Sequence, residues 1–247
     1  MKVKVKIKVA AIVPSAGTGT RMCSGIEKPF IKLLGKELIL YSLIALEKSE
    51  LISEIIIPAS KRSISKIERL VRREGFRKVK DVVCGGAHRA GSVKKGLLHA
   101  SADIDIVLVH DCARPFLTSA MIRYSLQAAK RYGACLCAVR VKPTIKEADA
   151  KGFVKNTLKR QLLWEAQTPQ AFKREMIEAA YKKLSKSYNR FTDDTALLEA
   201  TGKRVKIVEG GYNNIKITTP EDIAVAEAII KGRGKGRGKG KGKDTRY

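Results

Sequence analysis

Short runs of β-branched and aliphatic residues alternate along the chain with longer stretches whose apolar positions recur at helical spacing. Residues 3–13 begin with alternating lysine and apolar positions and close on the apolar run from Val9 to Val13, which predicts a strand opening into a glycine-rich loop. Over residues 38–48, Leu40, Leu43, Ile44 and Leu46 share one helical face. A second strand is expected at 54–57, a helix at 63–74 ended by Gly75, and a third strand at 79–83 that leads through glycines into another helix. Residues 104–110 are almost wholly apolar, as a strand covered on both faces requires. Residues 119–132 predict a helix that Gly133 closes. Such β-α alternation argues for an α/β domain with a largely parallel sheet.

Between residues 134 and 172 the rhythm changes. Extended runs at 135–145 and 153–158 flank the turn-forming Asp149-Ala150-Lys151-Gly152, which predicts a β-hairpin arm at about 138–160. Helices at 175–184 and 193–200 and short strands at 205–208 and 214–217 follow. Thr219-Pro220-Glu221-Asp222 then opens a last helix, with a threonine cap, proline at the first position and acids in the first turn. One domain over 1–230 accounts for all these elements. From 231 to 247 glycine alternates with lysine or arginine, and this basic tail is expected to be disordered.

The 247 residues carry 50 Lys plus Arg against 24 Asp plus Glu, a net charge of +26 that points to anionic partners. Nucleic acid and phosphorylated small molecules are the two classes to weigh. The tail holds eight Lys or Arg and one Asp, and four lysines lie in the first eight residues, yet residues 9–230 keep +15. The tail has none of the interleaved aromatics that stack bases, so it suits only salt-sensitive, sequence-blind contact with nucleic acid. No apolar run approaches a membrane span or an export signal, which predicts a cytoplasmic protein without membrane contact. The five cysteines show no C-x-x-C spacing and read as buried thiols, and the three histidines form no metal-binding pattern.

Two familiar phosphate loops fail, each at one essential residue. Gly17 and Gly19 begin a dinucleotide fingerprint, but Met22 stands at its third glycine. Gly86 and Gly91 have the spacing of a P-loop, but Ser92 stands where its lysine must be. What remains after the first strand is a loop whose backbone N–H groups can cradle phosphate, followed by the cations Arg21 and Lys28. A plain glycine turn with solvated basic neighbours fits this segment about as well.

PSAGTGTRM followed by EKPF resembles the G-x-G-x-R-M…K-P signature of sugar nucleotidyltransferases. With GGAHRAGSV, VLVHDCARPF, KPTIKE, WEAQTPQAF, FTDDTALLE and NNIKITTPEDI in this order, the chain resembles the 2-C-methyl-D-erythritol 4-phosphate cytidylyltransferase family from about Val9 to Ile230. The resemblance implies a Rossmann-like, mostly parallel sheet flanked by helices, of the nucleotide-diphospho-sugar transferase type, with the hairpin as a dimerisation arm. It implies CMP transfer from CTP to a sugar-alcohol phosphate with release of pyrophosphate, assisted by magnesium, in non-mevalonate isoprenoid synthesis. A ribitol 5-phosphate cytidylyltransferase is the nearest alternative, and a nucleic-acid-binding protein the alternative of another class.

By the same resemblance, Arg21 and Lys28 stabilise the transition state, while Arg160 and Lys216 position the acceptor phosphate. Pro14, Ser15, Ala16 and Gly17 lie against CTP. Gly86, Ala87 and Ser92 read the base and Arg89 supports their loop, with Gly86 expected to leave room for close backbone approach. Asp111 and Ala113 flank the ribose, and Asp111, Arg114, Thr144 and Thr192 join Arg160 and Lys216 around the acceptor. Arg160 is expected to serve the site of a second copy in a homodimer. The metal ligands are left unassigned, and Asp193 and Asp194 read as acids of a helix N-terminus. Ser92 has a rival reading as a helix N-cap. Two positions depart from the family pattern: Pro29 replaces a common glutamine, and Ala87 a usual acid.

Overall fold

The computed structural model describes residues 7–17 and 26–236. Strand β1 (Val9–Ile12) is buried throughout, and a 3₁₀ turn follows at Lys28–Phe30. Next come the small hairpin β2 (Lys32–Leu33) and β3 (Lys36–Glu37), then α1 (Leu38–Glu47), β4 (Glu54–Ala59), α2 (Ile64–Glu74), β5 (Val79–Cys84), α3 (Arg89–His99), β6 (Ile106–Val109) and α4 (Ser119–Tyr132). The second half contains β7 (Ala134–Arg140), a hairpin of β8 (Lys146–Ala148) and β9 (Val154–Thr157), β10 (Trp164–Lys173), α5 (Arg174–Lys183), α6 (Asp194–Glu199), β11 (Lys206–Glu209) and α7 (Pro220–Gly236).

Seven strands form one sheet in the order β11-β7-β10-β6-β1-β4-β5. All neighbours run parallel except β10, which is antiparallel to both β6 and β7. Because strand side chains alternate between faces, β1 feeds two cores. Val9, Ala11 and Val13 pack with α1, α2 and α4, whereas Ala10 and Ile12 pack with α3, α5 and α6. Helix α3 lies close against the sheet: a Cβ on Gly96 would come within 2.7 Å of the Ile12 side chain. Phe172 is fully buried on that same side, and truncating such a residue to alanine costs about 3–5 kcal/mol. A third cluster joins Ile31, Leu33 and Leu38 to Phe116, Ile217 and Ala226, docking α7 beside the small hairpin β2–β3. Among the described residues no helix is long and apolar enough to cross a membrane.

This topology positions the site. From β1 the chain builds outward through β4 and β5, then returns to lay β6 on the other flank of β1. The strand order therefore reverses between β1 and β6, and a crevice opens beyond their carboxyl ends.

Three expectations are corrected, and one strand had gone unread. The run 135–145 is not one arm of a hairpin: its first half is β7, paired on both sides within the main sheet, and the hairpin proper begins at Lys146. Residues 164–173 form the longest strand, which hydropathy did not reveal because its buried positions include Gln167, Thr168 and Gln170. Residues 214–217 are not a strand but an irregular segment, since the Asn214 side chain donates to Thr168 O and the Ile217 amide to Ala113 O. The last helix continues to Gly236, past the expected start of the tail at 231; residues 237–247 lie outside the described residues. Its start is as expected, at Pro220 with Glu221 and Asp222 in the first turn, and Asp222 reaches back to accept from the Thr218 and Thr219 amides and the Thr218 hydroxyl.

Candidate active site

The switch point holds a cavity of about 310 Å³ lined by residues of five segments. Pro14, Ala16 and Gly17 come from the loop after β1, Lys28 from the 3₁₀ turn, and Gly86 to Arg89 with Ser92 from the β5–α3 junction. Asp111, Cys112 and Ala113 follow β6, and Lys216 comes from the segment before α7. The loops are fixed by the end of β4. The Ser15 amide donates to Pro58 O at 2.7 Å, Ser15 bridges to Ala59, and the Gly85 amide donates to Ala59 O at 2.7 Å. Ser15 itself is buried behind the wall, its hydroxyl donating to Val13 O.

Ser92 stands in the first turn of α3, not at its cap, which is His88. Its hydroxyl accepts from the Gly86 amide at 3.0 Å and lies 3.2 Å from His88 O, pinning the turn. Within the chain itself Gly86 meets a steric demand. A Cβ at this position would fall 2.6 Å from the Gly91 backbone, so the glycine serves the contact between turn and helix.

A chain of charges crosses the cavity floor. Asp111 accepts from Arg89 Nε at 2.9 Å through Oδ1 and from Lys216 Nζ at 2.7 Å through Oδ2. Arg89 Nη1 also donates to the fully buried Asp194 at 2.6 Å, and Asp194 accepts from the Tyr181 hydroxyl at 2.9 Å. The remaining guanidinium nitrogen, Nη2, is buried without a partner among the described residues. Burial opposes charge on Asp111, but Arg89 and Lys216 outweigh it and hold the carboxyl well below the usual carboxylate range. Burial likewise opposes charge on Arg89, and the two carboxylates reverse that effect. Asp111 is thus a permanent anion. Lys28 Nζ donates to Ile217 O at 3.0 Å, on the same side of the cavity.

Behind Asp111 lies a neutral relay. The Asp111 amide donates to the Thr168 hydroxyl, which pairs with His110 Nδ1 at 3.0 Å, while His110 Nε2 meets Arg114 O at 3.0 Å. With the hydroxyl donating to Nδ1, the proton of the neutral ring sits on Nε2. Burial drives the His110 pKa down to about 4. Burial also pushes the Cys112 thiol up to about 11, so this cavity cysteine is a neutral apolar neighbour at physiological pH. Arg114 turns away from the cavity, donating to Asn214 O and Ala166 O.

The sequence-derived residues thus divide. Pro14, Ala16, Gly17, Lys28, Gly86, Ala87, Arg89, Ser92, Asp111, Ala113 and Lys216 meet at one cavity. Arg21 lies outside the described residues. Thr144, Arg160 and Thr192 are exposed and do not line this cavity; Arg160 donates to Lys142 O at the root of the β8–β9 hairpin. Sequence reasoning missed the pairing role of Asp194, taken only as a helix acid, and the relay through His110 and Thr168. The N-cap of α6 is its neighbour Asp193, whose carboxylate accepts from the Ala196 amide.

Residues 9–232 match the model of the 2-C-methyl-D-erythritol 4-phosphate cytidylyltransferase family. The chain belongs to that family. It is 44% identical to the 2-C-methyl-D-erythritol 4-phosphate cytidylyltransferase of Pelotomaculum thermopropionicum, over 92% of this chain and 95% of that protein. It is also 44% identical to the enzyme of the same name from Clostridium novyi, over 91% and 97% of the two chains. In structure it resembles the 4-diphosphocytidyl-2C-methyl-D-erythritol synthase of Anaerococcus prevotii, with a TM-score of 0.82, 31% identity and coverage of 92% and 97%. The cytidylyltransferase of Thermus thermophilus superposes with a TM-score of 0.74 at 27% identity, over 91% of this chain and all of that one. The chain is accordingly an enzyme, a nucleotidyltransferase of the cytidylyltransferase type with a Rossmann-like fold.

Proposed function

We propose that the enzyme transfers CMP from CTP to 2-C-methyl-D-erythritol 4-phosphate, giving 4-diphosphocytidyl-2-C-methyl-D-erythritol and pyrophosphate, in the non-mevalonate route to isoprenoids. The observation that carries this reading is the convergence of two backbone-rich turns, two lysines and one permanent carboxylate at the switch-point cavity. The nucleophile is a phosphate monoester, largely dianionic at pH 7 because its second pKa is about 6, so no base has to remove a proton. What the reaction needs is alignment of two anions and stabilisation of charge during in-line displacement at the α-phosphate. Lys28, with Arg21, supplies that stabilisation. Residues 14–17 lie against the nucleotide, the Gly86–Ala87 turn pinned by Ser92 reads cytosine, and Arg89 fixes both that turn and Asp111. Asp111 and Ala113 flank the ribose, and Lys216 aims the acceptor phosphate.

Among the described residues Asp111 is the one carboxylate in the cavity wall, and no three His, Cys, Asp or Glu gather around a metal position. With both Asp111 oxygens already accepting from Arg89 and Lys216, a magnesium ion would be held mainly by the CTP phosphates, whose charge it would neutralise. Thr144 and Arg160 belong to the arm, where Phe153 and Leu162 are 70% and 75% exposed. In a homodimer the arm would cover these side chains and bring Arg160 to the acceptor phosphate in the partner's cavity, with Thr144 and Thr192 completing the acceptor's surroundings; Arg114, expected there, instead braces the wall through Asn214 O and Ala166 O. Pyrophosphate release from CTP and magnesium, measured with each acceptor in turn, tests the reading. Methylerythritol phosphate should turn over fastest, and faster turnover of ribitol 5-phosphate would assign the enzyme to the alternative acceptor.

A further inference from the structure

The turn that leaves β4 holds more than the two nucleotide-facing loops. Ala59 anchors the Ser15 loop and the Gly85–Gly86 turn, and one residue later Ser60 begins a polar clamp. The Ser60 hydroxyl donates to Glu27 Oε1 at 2.5 Å and the Ser63 hydroxyl to Glu27 Oε2 at 2.7 Å. The clamp is itself braced, because the Ser63 amide donates to Ser60 Oγ at 3.2 Å and to Ser60 O at 2.9 Å. Ser63 is fully buried, which leaves its hydroxyl no solvent alternative. Both oxygens of one half-buried carboxylate are therefore held on the frame that already fixes two walls of the cavity.

Glu27 immediately precedes Lys28, and the intervening backbone has little freedom. Glu27 is extended, with φ −64° and ψ 138°, at the N-cap of the 3₁₀ turn, and Pro29 fixes φ inside that turn. The Phe30 amide donates to Glu27 O at 2.9 Å, closing the 3₁₀ turn, and Lys66 from α2 lies 3.9 Å over the Phe30 ring. The pair of serines thus ties the turn bearing Lys28 to the same β4–α2 junction as the other two loops.

We infer that Glu27 is a positioning residue for the reaction: its clamp on Ser60 and Ser63 sets where the Lys28 ammonium meets the α-phosphate. This rests on the role given to Lys28 in the proposed function. Burial opposes charge on Glu27, but the two serine hydroxyls, with Arg62 and Lys66 nearby, hold its pKa below the ordinary value, so the clamp is intact at neutral pH.

The test measures kcat and both KM values for Glu27→Ala, Glu27→Gln and Ser60→Ala/Ser63→Ala, alone and in a Lys28→Ala background. Misplacing a group that acts in the transition state lowers kcat and leaves KM nearly unchanged. Glu27→Ala and the serine pair should each lose about tenfold or more in kcat, with both KM values within about twofold. Glu27→Gln, which keeps one acceptor and one donor for the serines, should recover most of the loss. In the Lys28→Ala background, assayed at high enzyme concentration, Glu27→Ala should have no further effect, because a purely structural lesion would add to it. Unimpaired kcat in Glu27→Ala beside a collapsed Lys28→Ala would overturn the positioning role alone, as would additive losses. Full activity in Lys28→Ala would overturn the role of Lys28 itself.

Discussion

The nucleotide side of the cavity and the hairpin arm are built on opposite principles. The former is closed within one chain: three segments are bonded to the end of β4, and the acid on the floor is buried and doubly paired. The arm projects beyond Arg140 with every residue of β8 and β9 exposed and with large apolar side chains facing solvent. A site that must hold two mutually repelling anions gains from fixed cations on one side, since preorganised charge needs no rearrangement when the reaction occurs. On the homodimer proposed above, the arm is the surface that a second copy would cover.

Four experiments would break or sharpen this contrast. Lys28→Ala removes a fixed cation from the closed side, and kcat for pyrophosphate release should fall by about 10²–10³-fold, the usual effect of losing one such donor. Leu162→Glu with Phe153→Glu should leave a folded monomer by sedimentation that binds CTP within about twofold of the parent. Its kcat/KM for the acceptor should fall tenfold or more, as expected when a charge-assisted contact is lost; an active monomer would place the acceptor site within one chain.

The third concerns pH. The folded state lowers the His110 pKa from 6.5 to about 4, so between these values the unfolded chain binds the extra proton. Stability is therefore fully present above about pH 6.5 and is lost as pH falls toward 4. Converted at 1.36 kcal/mol per pKa unit, the contribution is about 3 kcal/mol. Urea unfolding across this range checks it, and His110→Gln should flatten that part of the curve. The smallest effect belongs to the basic end. Deleting residues 237–247, which leaves α7 whole, should change kcat less than about twofold while weakening salt-sensitive retention on immobilised DNA.

Local signals carried much of this fold. Gly133, at φ 90°, ends α4 where a stop residue was read, and Thr118, whose hydroxyl accepts from the Met121 amide, caps its start. The apolar β6 and the motif residues around the cavity were equally legible. By contrast, β10 crosses the sheet centre with buried glutamines and a threonine, whose fitness for burial depends on partners such as Asp193 and Asn214 that are distant in sequence. The pairing of Lys216 with Asp111, 105 residues apart, is likewise invisible to spacing. Sequence suggested that these residues belong to one site, but only the fold shows that they already hold each other. The same holds for the clamp on Glu27, whose serines lie more than thirty residues away.

The Lys216–Asp111 pair has a thermodynamic corollary. Lys216 is not a vacant cation but one carrying an internal counter-ion, so engaging a phosphate through it is an exchange of one anion for another. A dianionic phosphate can displace a carboxylate from an ammonium where a monoanion competes poorly. On the role proposed for Lys216, such a pair would favour the doubly charged ester that is also the competent nucleophile.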